Sequence, residues 1–508
     1  MAENYNHSSS NRRRSAKRRR KWQYYIPTVI MMTLAVVCVI TVSLAVMAVV
    51  RNNQNPNNPT GDTTDTISIQ DSEQTNPSDG TTAPTTPQDV YEAEAAALIK
   101  DADFIAAGYD YAKAIAMLQA YEHYNEVPAL ADKVKEYQDA DAKLITYSSP
   151  ETITHIFFHS LIVDTDRAFD GDEDSGGYNM YMTTVDEFKA ILEQMYQRGY
   201  VLISPYDMAY EVTDETGTHF TYGDIRIPAG KTPFLMSQDD LNYYSYMIGS
   251  GNGKNETPIF VDSKNDGFAH RIVIGKDGYP TCEYMDADGN IHYGDYDLVP
   301  VLETFIQSHP DFSYHGARAI LGMTGYEGVF GYRTKPSYEK ELNALHAAGK
   351  YPNTYAEEVQ MAKDVAQCLR DHGWILASHS YGHPAYGNIS ADRVATDSDK
   401  WENTVESIIG ETDVILYPHG SDIHNWRKYN FDNAKFAALY ADGFRYFFNV
   451  DGNQYWNQLG TNYFRGGRRN LDGFRMYHNP DKLTDLFDVK DVWDDRRPTP
   501  VPSIGGGM

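Results

Sequence analysis

Asp239 and Asp240 stand side by side at the end of the apolar run FLMSQDD. Two adjacent carboxylates repel, and burial beside apolar neighbours raises the cost of ionising both. A cation held by one of them and by further ligands gives the two acids separate work. Candidate ligands are present: in SHSYGH, His379 and His383 lie four residues apart around a turn containing Gly382. Imidazoles at this spacing can converge on one ion, with neutral nitrogens about 2.0–2.1 Å from a zinc. One carboxylate and two imidazoles form a three-ligand set that leaves room for water and substrate. In an extended chain successive side chains point opposite ways. One Asp then joins the ligand set while its neighbour faces the pocket as a free base, and the cation lowers the repulsion between them.

These residues need elements to hold them. From about residue 152 short apolar runs alternate with helical patterns, as in an α/β domain. ITHIFFHSLIV (153–163) predicts a strand, and TTVDEFKAILEQMYQRGY (183–200) an amphipathic helix capped by Thr184 and closed near Gly199. VLISPYDM opens another strand, and TPFLMSQDD is the next. Further on, YAEEVQMAKDVAQCLRDHG and KWENTVESIIG predict helices, with WILASHS and DVILYPHG as strands. Helices between hydrophobic strands favour a parallel sheet, open or closed. Such folds place chemistry at the C-terminal ends of strands, where QDD, SHSYGH and PHG fall. Between about 249 and 335 the alternation is interrupted by Asp-Gly hairpin signals. This predicts a β-rich insertion, then a helix (LVPVLETFIQSHP) and a strand (ARAILGM). Residues 491–508 read as a disordered tail.

Upstream of this domain the composition changes three times. Residues 29–50 carry no charge and are long enough to cross ~30 Å of hydrocarbon. The basic cluster before them predicts a transmembrane helix over 26–50, a cytoplasmic tail over 1–25 and an extracellular body. A cleaved signal peptide, processed near Val46 to Ala48, is the alternative. Through residue 51 there are nine Lys/Arg and one acid, so the rest of the chain carries −35 of the total −27. A body of that charge repels phosphates, which argues against a nucleic-acid partner. Residues 51–88, rich in Asn, Thr and Pro, predict a disordered linker. Residues 89–146 predict a helical hairpin or stalk, broken at Gly108 and Tyr109, with a protein partner as a possible purpose. Cys38 lies in the membrane segment, and Cys282 and Cys368 alone make no disulfide scaffold.

SQDD, HSYGH and YPHG together resemble the motif series of the polysaccharide deacetylases (NodB homology domain, carbohydrate esterase family 4). The run LRDHGWILASHSYGH is similar to the family's Gly-x-x-Ile-x-x-His-Ser/Thr-x-x-His stretch almost position for position. The resemblance covers the region around 150–490 and implies a distorted (β/α) barrel. It also implies a divalent metal on Asp240, His379 and His383: zinc first, with Co2+, Ni2+ or Mn2+ as alternatives. Asp239 becomes the general base, and the backbone N–H of His419, beside Pro418, an oxyanion donor. A late histidine protonates the leaving amine in the family, which makes His478 of FRMYH the candidate acid. His159 of FFHS lines the site or stands behind it.

The chain departs from the family pattern in the first motif, where Ser237-Gln238 and Leu241 replace Thr-Phe and Gly. It also lacks the arginine that steadies the base in the third. Arg333, Arg465 and Arg468 are the candidate replacements. The resemblance implies a tethered hydrolase removing acetyl groups from N-acetylated sugars of an extracellular polysaccharide such as peptidoglycan. The alternatives are a non-catalytic carbohydrate-binding scaffold on the same fold and an O-acetyl esterase. Aromatic residues such as Tyr243, Tyr244, Tyr246 and Trp426 suit sugar stacking, though such residues more often serve packing.

Overall fold

The computed structural model describes residues 86–249 and 264–503. The basic tail, the membrane helix and most of the linker expected upstream lie outside these residues. Among the described residues no helix is long and apolar enough to cross a membrane.

Seven parallel strands close into a ring in chain order: β1 (Thr154–Phe158), β2 (Thr232–Gln238), β3 (Ile320–Met323), β4 (Ile375–Ser378), β5 (Val414–Leu416), β6 (Tyr446–Val450) and β7 (Phe464–Asn470). The ring shuts where Arg469 of β7 pairs with Ile156 of β1. An eighth strand, Tyr200–Leu202, pairs with the first half of β2, while β3 takes the same edge only at Ser237 and Gln238. One side of β2 is thus shared by two neighbours, which distorts the barrel.

Strand side chains alternate between two cores, as the pleat requires. Met236, Leu321, Leu376, Ile415 and Phe447 pack with helix residues such as Phe188, Leu192, Leu369 and Phe436. Their neighbours Leu235, Ile320, Ala377, Leu416, Phe448 and Phe464 form a separate cluster that fills the barrel. The lumen is tight: a Cβ on Gly322 would come 2.9 Å from the Leu416 side chain and 3.4 Å from the His379 Cβ. Continuing the inward alternation past this apolar plug brings Asp239 and His379 to the C-terminal mouth.

The helix Val185–Gln197 starts at Thr184, whose hydroxyl and the Glu187 carboxylate close a capping box. Glu187 is fully buried and also takes a two-pronged ion pair from Arg497, both prongs 2.6 Å. For residues 491–503 that pair corrects the expectation of a disordered tail, whose last five residues lie outside the described ones. Breaking a buried pair costs about 3–5 kcal/mol, so residues 491–503 are locked onto this helix, with Val501 buried as well.

The span 249–335 proves composite. A three-stranded antiparallel sheet of Arg271–Ile274, Pro280–Met285 and Ile291–Gly294 is the elaboration. The helix Leu298–Ser308 and β3 belong to the barrel itself. Cys282 and Cys368 are free and buried.

Ahead of the barrel, α1 (Pro87–Ala107), α2 (Tyr111–Gln119) and α3 (Pro128–Asp141) share a core of Ala102, Leu118, Leu130 and Val134. The break between α1 and α2 comes where Tyr109 adopts a left-handed φ of 68°. The unit docks on the barrel through the Tyr109 hydroxyl, which donates to the Asp311 carbonyl, and through the His315 N–H on the Gly108 carbonyl.

Candidate metal centre

β2, β4 and β5 deliver the three polar clusters to one end of the barrel. His379 follows β4, and its Nδ1–H donates to the Leu416 carbonyl at the end of β5 (2.9 Å). A carbonyl can only accept, so this bond fixes the tautomer and leaves Nε2 with a bare lone pair. His383 follows a tight turn whose Tyr381 and Gly382 N–H groups both donate to Asp397 (2.8 Å each). The two Nε2 atoms lie 3.2 Å apart. Ligands about 2.0–2.1 Å from a tetrahedral zinc sit roughly 3.3 Å from one another, so the spacing fits a shared ion. Burial, countered in part by Asp240, pushes His383 down to about 4, which keeps its ring neutral and able to ligate near neutral pH.

Asp240 supplies the third donor. Its Oδ2 is 3.9 Å from His383 Nε2, and one donor atom from each of Asp240, His379 and His383 lies within 4.8 Å of the others. Asp239 and Asp240 do not diverge by strand alternation, as expected from the sequence. β2 ends at Gln238, and Asp240 turns away in the left-handed region with φ 57°. The Tyr244 hydroxyl donates to Asp240 Oδ1 (2.6 Å) and also bonds Thr324 Oγ1 (2.7 Å), leaving Oδ2 to face the imidazoles. Burial raises the Tyr244 phenol well above its ordinary value, so it stays a donor. Removing such an orienting group usually costs about 10–100-fold in metal affinity. Tyr244→Phe should weaken binding of zinc within that range, measured by competition with a chelator, without changing stoichiometry.

Asp239 has a different partner. It is 3 % exposed, and Arg468 grips both its oxygens at 2.6 and 3.0 Å. Burial pushes this carboxyl up, but the guanidinium, helped by His379, overrides it and holds the group well below the usual carboxylate range. Arg468 also donates to Ser237 Oγ (3.1 Å), which bonds His155 Nε2 (3.0 Å) inside the barrel. The free Asp239 oxygen edge faces the cluster, with Oδ2 3.9 Å from His379 Nε2.

Of the three candidate arginines, therefore, Arg468 reaches the base. Arg333 is buried against the Tyr243 carbonyl and lies 3.7 Å from Glu327. Arg465 pairs with Asp422 at 2.8 Å. Pro418 is buried, and His419 sits beside it with φ 55°, its Nε2–H donating to the His383 carbonyl (3.2 Å). Within that turn the Gly420 and Ser421 N–H groups make the internal bonds, to Tyr417 and Pro418.

His478 is not brought to the cluster. Its ring is exposed at the end of the helix Gly473–His478 and bonds the Val501 and Pro502 carbonyls. His159, just past β1 at the same end of the barrel, is half-buried. Tyr244, Asp397 and Asp472 carry no motif signal. Arg468 is distinguished from its neighbours only by its inward strand parity.

No protein-family model matches the chain, and no curated protein matches it. Among solved structures, the Streptococcus pyogenes deacetylase PplD in complex with acetate is similar over 66 % of this chain and 97 % of its own, at 12 % identity and a TM-score of 0.33.

Proposed function

We propose that the chain is a metal-dependent hydrolase that removes acetyl groups from N-acetylated sugars of an extracellular polysaccharide such as peptidoglycan. The observation that carries this reading is the pairing of a three-donor cluster, Asp240, His379 and His383, with an adjacent carboxylate that is not one of the three. When bound, a divalent cation supplies Lewis acidity at the acyl carbonyl and makes water easier to deprotonate.

The chain's own groups do the rest. Asp239, kept anionic by Arg468, takes the proton of the water that attacks the acyl carbon. The His419 backbone N–H, in the turn beside Pro418, is assigned to the charge that develops on the carbonyl oxygen. As the carbon–nitrogen bond breaks, the departing amine needs a proton, and His159, which follows β1 at the same end of the barrel, is the proposed donor. The products are acetate and a free amine. The motif resemblance supports an N-acetylated sugar as substrate, and the uncharged segment 29–50 supports a membrane-tethered enzyme acting outside the cell.

The test is acetate release from peptidoglycan, N-acetylglucosamine oligomers and an O-acetylated xylan, with zinc, cobalt, nickel or manganese supplied. Release from the N-acetylated polymers is expected. Release from the xylan alone makes the chain an esterase, and no release from a metal-loaded protein favours the non-catalytic scaffold.

A further inference from the structure

We propose that an indole platform formed by Trp426 and Trp456, flanked by Tyr455, is a binding subsite for a sugar ring of the polymer several units away from the acyl group being cleaved. This rests on the reading of the metal centre as one that acts on acylated sugars. Trp426 and Tyr455 are 40 % and 42 % exposed. The two indoles meet edge to face, with centroids 4.7 Å apart, and so present a flat wall and a floor to solvent.

The platform is built rather than incidental. Asn425 and Trp426 are consecutive non-glycine residues with left-handed φ of 49° and 65°, a conformation that costs free energy and persists only where surroundings impose it. Here Asp422 imposes it, accepting the Trp426 N–H, the Tyr429 hydroxyl and the Arg465 guanidinium. Arg465 is fully buried beneath the indoles, 4.8 Å from the Trp456 ring, 5.7 Å from that of Trp426 and 4.2 Å from that of Tyr429. A rigid aromatic surface held up to water in this way suits the apolar C–H face of a pyranose, since large rings bind at low entropic cost.

The platform is continuous with the metal centre along two chain segments. The loop that bears Trp426 begins at His419, whose ring bonds His383. The Trp456 carbonyl accepts from the Gly467 N–H, and the next residue, Arg468, grips Asp239. A neutral glycan threading the mouth therefore meets the indoles as it leaves the site.

Calorimetric titration of the full chain with N-acetylglucosamine hexamer and dimer tests this, in an Asp239→Asn background to prevent turnover. Trp426→Ala and Trp456→Ala should each raise the hexamer Kd about 10-fold, the scale of losing one aromatic contact that the bound sugar covers. The dimer Kd and the hydrolysis of p-nitrophenyl acetate, measured with Asp239 intact, should stay unchanged. An unchanged hexamer Kd in both variants, or a hexamer bound no more tightly than the dimer, overturns the platform. Indole-dependent hexamer binding without any acetyl hydrolysis would instead sink the proposed activity and leave the platform standing.

Discussion

Replacing Asp239 by Asn should lower acetate release about 10³-fold, the scale of a lost general base, while the bound-metal content stays at the wild-type level. The substitution keeps the shape of the side chain and an oxygen for Arg468, at the cost of some stability, because the buried guanidinium loses its counter-charge. What it removes is the ability to take a proton beside His379 Nε2, 3.9 Å away. Asp240, one residue on, cannot substitute: its Oδ1 is occupied by the Tyr244 hydroxyl, and its other oxygen faces the imidazoles. Steady-state kinetics together with metal analysis of the same preparation check this. Equal losses of metal and activity would place Asp239 among the ligands rather than beside them.

Arg468→Met should strongly destabilise the barrel. Arg468 is fully buried, and its removal strands the Asp239 carboxylate, 3 % exposed, without its counter-charge. Leaving one member of a buried ion pair alone typically costs about 3–5 kcal/mol. It also frees Ser237 Oγ from one of its two bonds. Urea denaturation should show that loss for Arg468→Met, and most of it should return in the double variant Asp239→Asn/Arg468→Met, where no charge is stranded. Activity should be lost in both. Additive stabilities in the double-mutant cycle would contradict a direct pairing of these two side chains.

Much of this layout is legible in the chain itself. QDD, SHSYGH and PHG do terminate β2, β4 and β5, because apolar runs bounded by helices have few other places to go. Closure of the barrel is less visible. β7 reads FRGGRRN, whose three arginines look like a solvated loop, yet Arg465, Arg468 and Arg469 are all buried, each facing a carboxylate or an aromatic ring. Local composition does not announce a partner hundreds of residues away, such as Asp239 for Arg468 or Glu187 for Arg497. The same blindness makes the tail look disordered. It also makes His478 a candidate acid by rank order along the chain, when the fold turns it toward Val501. The left-handed turn at Asp240 is likewise invisible: Asp enters that region more often than most non-glycine residues, and nothing in the sequence marks which Asp does so.

Metal content of the full chain, set against three single variants, decides the central claim most directly. About one divalent ion per chain is predicted for the wild type and for Asp239→Asn. Little or none is predicted for His379→Ala or for Asp240→Ala. A chain that holds no ion at saturating zinc, or one that keeps its ion after both of those ligand substitutions, would contradict the account.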